Sequence, residues 1–127
     1  MSSVVDTYQH DRVDVKGKPV RQQTLLFATG TVSGSGDNTL IAAPLSGQEI
    51  VISSIQIQNE SATAATMIIK FGATAKRRFL GQSQGEGFLR DLIPGREWKV
   101  GDATALVLNL SAAVQWGYSI EYYLANV

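Results

Sequence analysis

The chain has 127 residues, with 11 basic side chains, 11 acidic ones and no cysteine. That length suits one domain with a proper core, the balanced charge provides no overall field to hold nucleic acid or an anionic membrane, and the missing thiols exclude disulfides and thiolate metal sites. Charged residues are 17% of the chain, below the usual share of about 25%, as expected where part of the surface is covered by other subunits.

Residues 1–23 are polar, rich in Asp, Lys, Arg, Gln, Ser and Thr, and carry Gly17 and Pro19. They show no apolar signal-peptide core, and no window of the chain approaches the roughly 20 apolar residues of a membrane helix. Synthesis in a cytoplasm is the expectation. The segment reads either as a free tail or as an extended arm ordered against a neighbour. Val13 and Val15 alternate about Asp14 as a strand would, and with Val20 they favour docking.

From residue 24 the pattern is that of strands. An apolar run at 25–32 ends in Ser33-Gly34-Ser35-Gly36-Asp37-Asn38, which predicts a turn. A short strand at 39–43 stops at Pro44. Residues 50–58 form the strongest internal strand, but Ile50 and Ile52 lie on one parity and Ile55 and Ile57 on the other. A β-bulge near Ser53-Ser54 would reconcile them. Further strands are predicted at 67–71, 74–80 and 88–93, the last closed by Pro94-Gly95, a type II turn signature. A short edge piece follows at 97–100. In 103–110, Leu106, Leu108 and Leu110 share a face. In 114–124, Val114, Trp116, Tyr118, Ile120, Tyr122 and Leu124 do the same, and these two faces should meet. The opposite parity of the last strand is small and polar apart from Tyr123, which suits solvent or a neighbouring subunit. About eight strands, with turn signals every 8–12 residues, predict an all-β fold: an antiparallel two-sheet sandwich, jelly-roll-like, over residues 24–127, preceded by an extended N-terminal arm at 1–23.

Motifs with chemical potential are few. Gly81-Gln82-Ser83-Gln84-Gly85 matches the G-x-S-x-G nucleophile elbow, but no helix is predicted after it and the chain's single histidine is His10 in the arm. A flexible loop is the expectation, and no enzyme activity is expected. The glycines of that loop lack the Gly-Lys-Ser/Thr ending of a P-loop. Asp37, Asn38, Asp91 and Asp102 lack calcium-loop spacing and are expected to stabilise turns. No cofactor or metal is expected. Lys76-Arg77-Arg78 is the basic cluster. It serves either edge-strand protection or contact with an acidic partner or phosphate, and on a regular strand Lys76 and Arg78 would share a face while Arg77 points away. No aromatic residue interleaves with it. Trp116 is expected in the core, and Trp98, between Glu97 and Lys99, at a surface or interface.

Residues 49–59 (EIVISSIQIQN), residues 88–99 with Ile93-Pro94-Gly95-Arg96-Glu97, and residues 103–124 (ATALVLNLSAAVQWGYSIEYYL) resemble small β-sandwich virion proteins of tailed bacteriophages, of the capsid decoration or cement kind. The resemblance implies a jelly-roll-like homotrimer on the outer capsid surface, binding the major capsid protein, made in the bacterial host cytoplasm, with no direct contact to nucleic acid or membrane. It further implies an N-terminal arm reaching across the shell. The residues expected to contact a partner are Val13, Val15, Lys16, Lys18, Val20 and Arg21 in the arm, and Arg77, Trp98 and Tyr123 in the sandwich. The alternatives are a sandwich from a tail, fibre or baseplate, and a carbohydrate-binding module using Trp98 or Tyr123.

Overall fold

The computed structural model describes residues 24–127 and, before them, the backbone of two short strands, β1 (Arg12–Val13) and β2 (Pro19–Val20), which pair antiparallel. The expected arm role of residues 1–23, and with it the contacts expected of Val15, Lys16, Lys18 and Arg21, lies outside the described residues. Alternating apolar and polar side chains then build nine strands: β3 (Leu26–Val32), β4 (Gly36–Ile41), β5 (Gln48–Asn59), β6 (Ala65–Phe71), β7 (Thr74–Gly81), β8 (Gly87–Asp91), β9 (Trp98–Asp102), β10 (Leu106–Leu110) and β11 (Trp116–Asn126). No helix occurs among the described residues.

Every pairing is antiparallel. One sheet runs β3-β11-β5-β8, with β9 sharing the same edge of β5 as β8, and the other runs β4-β10-β6-β7. From β3 onward the chain changes sheet at every connection except β6–β7 and β8–β9, and β11 inserts between β3 and β5. This is the strand order of an eight-stranded jelly roll in which β8 and β9 together fill one place. The break between them is a tight turn. Arg96 N donates to Ile93 O at 2.9 Å and Gly95 takes φ of 91°, the left-handed value that a type II turn needs at its third residue.

The inner faces supply the core. Ile50, Ile52, Ile55 and Ile57 of β5 meet Met67 and Ile69 of β6, Leu106, Leu108 and Leu110 of β10, and Trp116 and Ile120 of β11, with Val114 beside them. Tyr118, Tyr122 and Leu124 pack against this cluster at its margin. Full burial of each large side chain is worth about 1.5–3 kcal/mol, so this layer is the main source of stability.

The bulge expected in β5 is present. Glu121 pairs with Ser54 while Tyr122 pairs with Ile52, which leaves Ser53 as an extra residue. A regular strand would have sent one pair of isoleucines to the outer face; the extra residue resets the parity and all four turn inward. Ser53 O is not wasted, since it accepts from Leu92 N at 2.8 Å where β5 changes partner from β8 to β9.

The turn expected through Asn38 is shorter than the sequence predicts. β4 starts at Gly36, and Asp37 and Asn38 pair with Asn109 and Leu108 of β10. Partners from distant strands explain the difference. Asp37 accepts from Lys70 Nζ at 3.1 Å and from Asn109 Nδ2 at 2.7 Å, and Asn38 Nδ2, besides its local acceptors Gly34 O and Gly36 O, reaches Leu108 O at 3.4 Å. Such tertiary contacts outweigh the local turn preference of Asp and Asn.

Candidate functional site

Two surfaces stand out, one on the edge of the sandwich and one on a face. The edge surface begins with β6 and β7. Lys70 pairs with Ala75 and Ile69 with Arg77, so Lys76 is an extra residue. A bulge re-aims the side chains beside it. Here it lets two consecutive cations lean the same way: Lys76 Nζ sits 5.5 Å from the Phe71 ring centroid and Arg77 Cζ sits 5.5 Å from that of Trp98. The expectation that Arg77 points away from its neighbour is thereby corrected.

The rings come from three strands. Phe88 pairs with Ile57 and Trp98 with Ile52, so both stand on the inward parity of the sheet, but at its edge. There they reach the opening between the two sheets and stack at 6.1 Å with an interplanar angle of 18°. Phe71, from the opposite sheet, meets Trp98 at 6.4 Å and 56°. Arg90, two residues after Phe88 and on the same parity, places its guanidinium 5.8 Å from the Phe88 ring. Phe71, Lys76, Arg77, Trp98 and Lys99 line the resulting cleft. The aromatic residues missing from the sequence around the basic cluster are thus supplied by the fold.

None of Lys76, Arg77, Arg78, Arg90 and Lys99 makes an ion pair with a described carboxylate, whereas Lys70 does, with Asp37. The nearest carboxylates in sequence are engaged elsewhere. Asp91 accepts from Ser54 Oγ at 2.7 Å, and Glu97 accepts from Gly95 N at 3.0 Å and from the Tyr123 hydroxyl at 3.4 Å.

The second surface is the outer face of the β3-β11-β5-β8 sheet. Its residues form rows across the strands: Thr31, Gly117, Gln58 and Gly87; then Thr29, Ser119, Gln56 and Leu89; then Phe27, Glu121, Ser54 and Asp91. Side-chain hydrogen bonds fix the rows, such as Thr29 with Ser119 at 3.2 Å and Gln58 Nε2 with Gly85 O at 2.8 Å. Among the described residues, these rows of the face carry no cation. Two large apolar side chains rise from it on opposite edge strands, Phe27 at 71% exposure and Leu89 at 65%. The Glu60 carboxylate lies over Gly117, in the space a side chain there would take.

Of the residues expected to meet a partner, Arg77 and Trp98 are brought together in the cleft, although 21 positions separate them. Val13 and Val20 lie in β1 and β2, of which only the backbone is described. Tyr123 is not on an open face: it is 8% exposed, beside Val51, and its hydroxyl points to Glu97. The bulge in β5 puts Val51, itself buried, on the outer parity opposite Tyr123. Sequence reasoning missed Phe71, Phe88 and Arg90. Phe71 reads as the end of a core stripe. Only the i, i+2 spacing of Phe88 and Arg90 hinted that a ring and a cation share a face.

The G-x-S-x-G match has a packing explanation. Gly81 lies against Trp116, and a Cβ there would come within 2.7 Å of the indole. Gly85 turns the chain with φ of 93°. Glu86 Oε1 accepts from Gln82 N at 2.6 Å, and Gly85 N donates to Asn59 O at 2.8 Å. The loop is pinned to the end of β5 and not flexible in the sense expected. Asn59 completes this end: it is fully buried, its amide donates to Thr63 O and Gly81 O, and its Oδ1 accepts from Ser61 N. Asp37, Asn38, Asp91 and Asp102 are spread over separate strands, Asp102 accepting from Gly47 N at 2.8 Å, and no group of three potential metal-ligating side chains occurs among the described residues.

No protein-family model and no curated protein matches this chain. Among solved structures, one titled "Crystal structure of PirA" aligns over 87% of this chain and 99% of that chain, with 12% identity and a TM-score of 0.33. Neither surface takes a role from that likeness.

Proposed function

We propose that the chain is a structural protein of a tailed-phage virion that acts by binding: a capsid decoration protein that sits as a homotrimer on the outer shell and holds the major capsid protein. The observation that carries this reading is the outer face of the β3-β11-β5-β8 sheet, whose described rows are small in side chain and carry no cation, with Phe27 and Leu89 standing out from its edge strands. Large apolar side chains rising from an ordered polar face suit burial against another protein surface. The sequence resemblance to decoration proteins supports the same role, and residues 1–23 then supply the arm. In this role the protein is made in the bacterial host cytoplasm and needs no cofactor, nucleic acid or membrane.

The test is direct. Light scattering at micromolar concentration is expected to give the mass of three copies, and the protein is expected to bind expanded capsids that lack it and raise their resistance to heating. A monomer that ignores capsids overturns the proposal. Immunolabelling of intact particles on the tail alone would move the protein to the tail, fibre or baseplate alternative.

A further inference from the structure

We infer that the cleft between β7 and the β8/β9 edge is a receptor for an acidic, extended segment of a partner protein. The inference stands on the cleft alone and does not depend on the capsid reading.

Three observations carry it. First, four cations gather around this cleft, Lys76, Arg77, Arg90 and Lys99, without a described carboxylate paired to any of them. A chain with equal numbers of acidic and basic residues has no need of such a concentration for solubility. Second, three of the cations are held in place by rings: Lys76 by Phe71, Arg77 by Trp98, Arg90 by Phe88. A guanidinium laid over a ring keeps its N–H edge directed outward and loses less rotamer freedom when it meets a carboxylate. Third, the bulge at Lys76 brings neighbouring cations to one side of an edge strand.

The same features select among occupants. A second copy placed edge to edge would set these cations against their own counterparts, which is repulsive. A nucleic acid strand would need open ring faces for base stacking. Here Trp98 and Phe88 stack on each other, and each of the three rings is engaged by a cation. Carboxylates need only the outward N–H groups. Side chains of Asp or Glu on an extended segment, presented every second residue, would meet the row of cations along β7.

The experiment titrates the full chain with hexaglutamate by calorimetry in 50 mM salt, with hexalysine and an oligothymidylate as comparison probes. Hexaglutamate is expected to bind and the other two are not. Raising salt to 300 mM should weaken binding severalfold, because the contacts are charged. Arg77→Glu and Lys76→Gln each change an exposed residue and are expected to weaken binding by about tenfold or more, the scale of one lost charge-assisted contact. Arg96→Gln, an exposed cation in the turn between β8 and β9, is expected to leave binding unchanged. Equal loss in the Arg96 variant would show an effect of net charge only and overturn the proposal. So would tighter binding of the oligothymidylate, or no binding of hexaglutamate at low salt.

Discussion

The two surfaces are built on opposite principles. The outer face of the β3-β11-β5-β8 sheet comes from regularity: period-two alternation on the Asn59 side of the β5 bulge sets Thr29, Ser119, Gln56 and Leu89 in one row and Phe27, Glu121, Ser54 and Asp91 in the next. The cleft comes from irregularity. It needs the extra residue Lys76, the turn that separates β8 from β9, and the meeting of strands from both sheets at one edge. The described rows of the face carry no cation and suit shape and apolar contact, whereas the cleft is cationic, suited to charge and direction. One small fold thus offers a partner both area and orientation.

Substitutions can separate the two. The largest effect is expected where both depend on the same support. Trp116 is fully buried between Gly81, Asn59 and Phe79, and Trp116→Ala should cost about 3–5 kcal/mol in urea unfolding and weaken both surfaces together. A loss of only one surface would show that they do not share this core. Next, Phe27→Asp combined with Leu89→Asp should abolish capsid binding while stability stays within about 0.5 kcal/mol, as for surface changes generally, and hexaglutamate binding should persist. Arg77→Glu should give the reverse pattern; if both variants lose the same partner, the division into two surfaces fails.

A finer comparison isolates the bulge. Lys76→Ala removes one cation and keeps the extra residue, whereas deleting Lys76 removes both. Hexaglutamate binding is expected to fall further in the deletion, by a few fold beyond the alanine variant, because Arg77 loses its local twist over Trp98. Equal binding by the two would mean that charge alone matters there.

The smallest effect lies away from both surfaces. The Asn109 amide and then the Lys70 ammonium hold the Asp37 carboxyl below the usual carboxylate range. A lowered folded-state value means the contribution is present above the unfolded value and is lost as pH falls through the folded one. Acid unfolding of Asp37→Asn should therefore begin from a slightly less stable state at neutral pH and show a shallower loss in the acid range. Asp37 is exposed and screened, so the difference is small. A change in hexaglutamate binding in this variant would contradict the separateness of the cleft.

The strands and the core were legible because burial leaves a period-two record. Leu106, Leu108 and Leu110 announce their face, as do Trp116, Tyr118 and Ile120, and even the β5 bulge shows as a parity conflict between Ile52 and Ile55. Asp37 and Asn38 misled, since their turn chemistry is local while both also find partners on other strands, Lys70 and Asn109 for Asp37 and Leu108 for Asn38. The parity of Tyr123 suggested an open face, whereas the side chain is buried beside Val51 with its hydroxyl directed to Glu97.

For the sites the division is sharper. By itself the sequence determined which residues are apolar, which are charged and where the chain must turn, and these suffice for a two-sheet antiparallel sandwich. It also supplied Arg77 and Trp98 as separate candidates. Only the tertiary structure decided that they meet, because the cleft depends on which strands become edges and on a single extra residue between Ala75 and Arg77. Edge position is a property of strand order, and strand order arises from packing across the whole sandwich, where no local pattern of residues records it.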